Sequence, residues 1–244
     1  MKLVLIGGGR DEAPYETKAL DESIVKLANK KNPKLLFIGF AQKFEEEVED
    51  YFRVIKSNYE KLGCSCEQLS EADVLDLQTT KEKILKADII YVGGGNTLRL
   101  MSMFRKYNIG ELLKEAGDNG TVLCGTSAGA ICWCNYGNSD SRKLVKTSAK
   151  YVRVKGLGFV DVLLCPHYNV KVERREYLKR MMSKTKGVAL ALDNCTALQI
   201  EDNNYKVLKS KDNVRARKCY FQNGEYIRDI ITDTGKVEDL ITKQ

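Results

Sequence analysis

The sequence predicts a three-layer α/β fold, a mostly parallel sheet with helices on both faces and added antiparallel strands towards the C-terminus. Three observations carry this expectation. Short apolar runs alternate with segments of helical spacing through the first half of the chain, the pattern of βαβ units. Glycine-rich loops follow three of those runs, at residues 7–9, 93–95 and 125–129. From Val188 onward the pieces become short and alternating, broken by the hairpin signals Asn203-Asn204 and Asn223-Gly224.

Taken in order, a buried strand at residues 3–6 ends in Gly7-Gly8-Gly9, and helical spacing follows at 20–29 with Asp21 near its start. A second buried strand is expected at 34–39, after Pro33. Residues 44–62 read as a long amphipathic helix whose glutamates crowd its front, where the helix dipole favours negative charge. A short strand at 66–69 and a helix at 80–86 precede the buried strand 88–92, which ends in Gly93-Gly94-Gly95-Asn96-Thr97. Helices at 98–106 and 110–116 lead to the strand Thr121-Val122-Leu123-Cys124. Beyond residue 134, Asn135-Tyr136-Gly137-Asn138-Ser139-Asp140-Ser141 reads as a polar, turn-rich loop. Strands at 151–154 and 159–165, a helix at 173–182 and strands at 189–192, 197–200, 205–208, 218–221 and 226–230 complete the chain. No linker rich in Pro, Gly or Ser divides it, so residues 1–244 are expected to form one domain.

Composition excludes several function classes. The formal charge of +7 is spread widely. Its densest stretches, 171–186 and 206–218, read as solvated surface, and no nucleic-acid-binding module accompanies them. No apolar run approaches the roughly 18 residues of a membrane-spanning helix. The N-terminal apolar run reads as a buried strand and not a leader, so a cytoplasmic location is expected, with no membrane partner. The eight cysteines lie mostly in apolar stretches and show no paired Cys-x-x-Cys pattern, so reduced, structural thiols are expected and neither a metal nor a cofactor. Neither triple-glycine loop continues as G-x-G-x-x-G, which argues against a dinucleotide.

The chemistry concentrates at Gly125-Thr126-Ser127-Ala128-Gly129, a serine between two glycines at a strand-to-helix junction. That is the layout of a nucleophile elbow, where the tight turn exposes the hydroxyl and crowds out bulkier neighbours. A serine needs a base, and the chain holds a single histidine, His167, just after the apolar run 162–165 and Pro166. Strand ends of a parallel sheet share one edge, which brings His167 within reach of Ser127. Asp140 is the first candidate to orient the imidazole, with Asp161 and Asp193 as rivals. The backbone N–H of Ala128 is expected to bind the oxyanion, with a second donor from Gly94 or Gly95. Asn96 is read either as the cap of the next helix or as a substrate-binding residue.

Gly93-Gly94-Gly95-Asn96-Thr97, Gly125-Thr126-Ser127-Ala128-Gly129-Ala130 and Pro166-His167-Tyr168, in that order, resemble the signature segments of the peptidase E family of serine peptidases. That family includes aspartyl dipeptidases and, more distantly, cyanophycinases. The resemblance runs from the first strand to about Ile200. It implies a fold like the class I glutamine amidotransferases with serine replacing the cysteine nucleophile. It also implies Ser127 as nucleophile, His167 as base, and metal-independent hydrolysis of dipeptides with N-terminal aspartate. An acidic residue after the elbow helix is the third member in the founding enzyme, which points to Asp140. The family binds the substrate carboxylate with an arginine beyond the histidine. Here the intervening loop is shorter and offers Arg174 and Arg175, of which Arg175-Glu176 best matches the family's Arg-Glu pair. The expected partner is a small peptide, and the expected state a monomer or homodimer. The alternatives are a catalytically idle ligand-binding homologue and a hydrolase of another amide or ester.

Overall fold

The computed structural model describes residues 1–9, 16–144, 150–170 and 172–243. Lys171, the first residue of one basic stretch, lies outside them. In chain order the first half holds β1 (Lys2–Ile6), α1 (Lys18–Ala28), β2 (Lys34–Ile38), α2 (Glu45–Glu60), β3 (Ser65–Leu69), α3 (Leu77–Lys86) and β4 (Ile89–Val92). It continues with α4 (Thr97–Lys106), α5 (Ile109–Asp118), β5 (Val122–Thr126), α6 (Ala128–Ile131), β6 (Cys134–Ser139) and α7 (Ser141–Leu144). Then come β7 (Val152–Lys155), β8 (Val160–Cys165), α8 (Val172–Met182), β9 (Ala189–Leu192), β10 (Thr196–Glu201), β11 (Asn204–Lys209), β12 (Ala216–Gln222), β13 (Glu225–Ile230), β14 (Thr234–Lys236) and α9 (Val237–Ile241).

The strands form two sheets. The first has eight strands in the order β14-β11-β10-β1-β5-β4-β2-β3. Its half from β1 to β3 is parallel, and β10, β11 and β14 extend it antiparallel. This is the predicted α/β class with antiparallel additions. The second sheet, β13-β12-β9-β8-β6-β7, was not foreseen as a separate layer. In it β6, β8 and β9 run parallel.

Alternation along each strand sorts the apolar residues to opposite faces. On one face of the first sheet Val4, Ile6, Phe37, Tyr91 and Cys124 pack with Leu20 and Ile24 of α1 and with Ile55 and Tyr59 of α2. On the other, Leu3, Leu5, Ile38, Val92 and Leu123 join Leu100 and Phe104 of α4, Leu113 of α5, Trp133, and Leu190 and Leu192 of the second sheet. The second sheet covers its own far face with α8, through Leu178 and Met182 against Leu163 and Cys165.

The segment read as a polar loop at 135–141 is instead β6 followed by the start of α7. Gly137 lets this strand lie directly on α6, since a Cβ there would fall 2.3 Å from Ile131 Cγ2. Its buried Asn138 is tied across to α8: the side-chain amide donates to the Arg174 carbonyl, and the main-chain carbonyl accepts from the Arg174 guanidinium. No helix of the described residues is long and apolar enough to cross a membrane.

The elbow is packed backbone against backbone. A Cβ at Gly129 would sit 2.0 Å from the carbonyl oxygen of Val92. Gly129→Ala is therefore expected to push β4 away from α6 at a cost of about 3 kcal/mol or more. For a chain of this size that lowers Tm by about 6–12 °C. A thermal melt within about 2 °C of the parent would contradict this packing argument.

Candidate active site

Ser127 stands between the last residue of β5 and the first of α6, with φ 53° and ψ −109°. Non-glycine residues rarely adopt this conformation, and holding one there costs roughly 1–3 kcal/mol. It persists because the neighbours overdetermine it. The Ser127 N–H donates to the Ile6 carbonyl at 3.1 Å, and a Cβ at Gly125 would lie 2.5 Å from the Gly129 carbonyl oxygen.

His167 follows β8 and Pro166 and also has a positive φ of 52°. Its N–H donates to the Gly7 carbonyl at 2.9 Å, and the next N–H, of Tyr168, donates to Leu192 at 3.0 Å. Cys195, at φ 62°, donates its N–H to the Gly8 carbonyl at 2.8 Å. The glycine loop after β1 is thus the common seat of the chain segments that carry the histidine and Asn194. A side chain on Gly8, which has φ +137°, would fall 2.4 Å from the imidazole and 2.5 Å from Asn194 Oδ1.

The side chains form one hydrogen-bonded row. Ser127 Oγ lies 2.8 Å from His167 Nε2, and His167 Nδ1 lies 2.7 Å from Asn194 Oδ1. An amide oxygen can only accept, so Nδ1 carries the proton and Nε2 presents its lone pair to the serine hydroxyl. Asn194 is held in turn by its backbone N–H, which donates to Asn169 Oδ1 at 2.8 Å.

The third position is therefore occupied by Asn194, not by Asp140 as expected. Both ring nitrogens of His167 are engaged, and Asp140 Oδ2 accepts from Arg174 Nη2 at 2.8 Å. The reason is electrostatic. Arg174 is 2% exposed, and a buried guanidinium without a carboxylate would be strongly destabilising. The rivals are committed elsewhere too: Asp193 to Arg217 and to the Arg215 N–H, Asp161 to Asn135.

The other expected residues divide. Gly94 and Gly95 do line the cavity that contains Ser127. The Gly94 carbonyl is fixed by Gln42 Nε2 at 3.0 Å. Ala128 is the first residue of α6, and such an N–H has no acceptor inside its helix. Asn96 caps α4, accepting from the Arg99 N–H at 3.1 Å, and lines neither cavity described here. Arg175 donates to the carbonyls of Tyr168 and Asn169 and is likewise absent from both linings.

Two cavities meet at the imidazole. One, of about 550 Å³, is lined by Ser127, Thr126, Gly94, Gly95, Tyr51, Glu47 and Asp50, with Gly8, Gly9 and His167. The second, of about 440 Å³, lies against His167, Asn194, Asp140 and Arg174 and contains the Lys211–Glu16 ion pair. Among the described residues no group of three or more His, Cys, Asp or Glu is placed to hold a metal ion. The cysteines form no disulfide among the described residues, and burial pushes Cys165 up to about 12 and Cys64 to about 11, which keeps these two thiols neutral.

Gly8→Ala tests the seat of the histidine. The added methyl must displace the imidazole or Asn194, so Ser127 labelling by a fluorophosphonate should slow by about 10²-fold or more. Labelling at the parent rate would show that the glycine loop does not fix the ring.

Comparison with known proteins identifies the family. Residues 3–208 match the model of peptidase family S51. An uncharacterised peptidase of Bacillus subtilis, YgaJ, is 28% identical over 231 residues, covering 92% of this chain and 94% of its own. Peptidase E of a Nostoc species is 23% identical over 188 residues, 73% of each chain. The crystal structure of a peptidase from an acI-B1 Actinobacterium superposes with a TM-score of 0.67 at 21% identity, covering 93% of this chain and 96% of that one, and so shares the fold. The chain belongs to peptidase family S51, the family of peptidase E, and is a serine-type peptidase.

Proposed function

We propose that this peptidase hydrolyses short peptides through an acyl-enzyme on Ser127, with His167 as base and then acid and Asn194 orienting the imidazole. The observation that carries the reading is the row Ser127 Oγ, His167 Nε2 at 2.8 Å, and His167 Nδ1 against Asn194 at 2.7 Å. In the first step a bond forms between Ser127 Oγ and the carbonyl carbon, and the serine proton passes to Nε2. The carbonyl electron pair moves to oxygen, within reach of the Ala128 N–H and the Gly94-Gly95 loop. As the pair returns, the C–N bond breaks and His167 gives its proton to the departing amine. Water then repeats the sequence on the acyl group, with His167 again as base.

The two cavities that flank the imidazole support a short substrate, with acyl and leaving portions on either side. A preference for N-terminal aspartate finds no support in the Ser127 cavity, and the cations of the second cavity, Arg174 and Lys211, are paired with Asp140 and Glu16. The Ser127 cavity has Glu47 and Asp50 on its wall and, among the described residues, no Lys or Arg. Asp50 is itself shared with Arg53 at 3.0 Å. Arg174 and Arg175 are taken up by Asp140 and by backbone carbonyls. We therefore take the substrates to be peptides whose first residue is neutral or basic.

A fluorophosphonate probe should label the parent at Ser127, and Ser127→Ala should abolish the label. Absence of labelling on folded parent protein would favour the idle ligand-binding homologue. Asn194→Ala should slow hydrolysis by about 10²-fold, and Asn194→Asp, which keeps the acceptor, by far less. If Asp140→Asn costs more than Asn194→Ala while the melt is unchanged, the assignment of Asn194 is wrong. In a dipeptide panel with Asp, Leu and Lys first, Asp is expected to be the poorest. A clear preference for Asp would refute the substrate argument.

A further inference from the structure

The Gly94 N–H, one of the two groups expected to face the oxyanion, already has an acceptor in this structure. It donates to the Tyr51 hydroxyl at 3.3 Å. Tyr51 reaches this point from α2, and its ring is fixed on two sides. The ring centroid lies 5.2 Å from that of Phe37, and a Cβ on Gly93 would fall 3.1 Å from Tyr51 Cε1. The residue is half-buried and lines the Ser127 cavity. Gly94 in turn is next to the nucleophile, since a Cβ built there would be 3.4 Å from Ser127 Cβ. The phenol oxygen and the serine thus flank the same peptide unit, in the same cavity.

A phenol both accepts and donates. Accepting from Gly94 polarises its own O–H and strengthens the bond that this O–H gives. The geometry points to Tyr51 as a further catalytic residue, an oxyanion donor whose hydroxyl is backed by the Gly94 N–H and acts with the Ala128 N–H. This rests on acylation of Ser127 as set out above. When the Ser127 Oγ–C bond forms, the carbonyl pair moves to oxygen and the serine proton goes to His167 Nε2. The Tyr51 proton stays on its phenol throughout and only turns its hydrogen bond onto the new oxyanion. When the pair returns and the C–N bond breaks, that bond is released. The assignment also explains why an aromatic alcohol from α2 is wedged against a loop whose glycines admit close approach.

Tyr51→Phe is the test, because it keeps the ring against Phe37 and Gly93 and removes only the oxygen. With p-nitrophenyl acetate, a substrate that makes no side-chain demands, kcat should fall about 10²-fold with KM within about twofold. The melt should stay within a few degrees of the parent. An unchanged kcat, a loss confined to KM, or a higher kcat (the result if Tyr51 merely plugs the hole) would each overturn the inference. The parent is examined in parallel. Failure of the fluorophosphonate to label Ser127 removes the acyl-enzyme reading and this inference with it. A labelled, active parent beside an unaffected Tyr51→Phe removes the inference alone.

Discussion

Everything at the site depends on the main chain of Gly7-Gly8-Gly9 and the residue before it. Ile6 accepts from Ser127, Gly7 from His167 and Gly8 from Cys195. These are ordinary backbone hydrogen bonds, each worth on the order of 1 kcal/mol net. Their importance is positional. Ser127, His167 and Cys195 all have positive φ, and each is held in that conformation where its N–H meets this one strand end. The loop also has to be glycine where it passes under the imidazole, because Gly8 leaves no room for a methyl. The nucleophile, its base and the residue behind the base therefore share one backbone reference, which fixes their separations more tightly than side-chain packing would.

Much of this was legible in the sequence. Apolar runs closed by glycines announced the parallel strands, and the single histidine left no choice of base for Ser127. What escaped reading had physical causes. β6 is written in residues that signal turns, Cys134-Asn135-Tyr136-Gly137-Asn138-Ser139. Asn138 is buried against Arg174 on α8 and Ser139 against Thr97 of α4, tertiary pairings that no local pattern reveals. The third residue of the row was missed, since Asp140 was the first candidate and only the rival Asp193 stands next to Asn194. Asp193 drew attention as a carboxylate, yet the chain turns at the end of β9 so that Asp193 meets Arg217 and Asn194 meets the imidazole. An amide serves there because orienting the ring requires only an acceptor.

The arginines teach a related lesson. Arg174 and Arg175 are the residues to which the family resemblance pointed for a substrate carboxylate. In this chain one is a buried structural cation, balanced by Asp140, and the other straps the His167 loop through the Tyr168 and Asn169 carbonyls. A charged residue at the right place in a sequence identifies a binding group only if the fold has not already given it a partner. The same caution separates Cys132 and Cys165 from chemistry, since burial holds their thiols neutral.

The central place of β1 in the first sheet bears on how the protein is made. This strand is parallel to β5 and antiparallel to β10, partners that lie far along the chain. Loop closure on that scale is slow, and such pairings form late. During synthesis β1 emerges before β10 and cannot pair with it until the nearly two hundred residues between them have left the ribosome. The serine turn acquires its anchor on Ile6 only when β5 docks, and the histidine loop only when the second sheet closes over it. Gain of reactivity at Ser127 would then report completion of the whole topology and not the folding of any local piece.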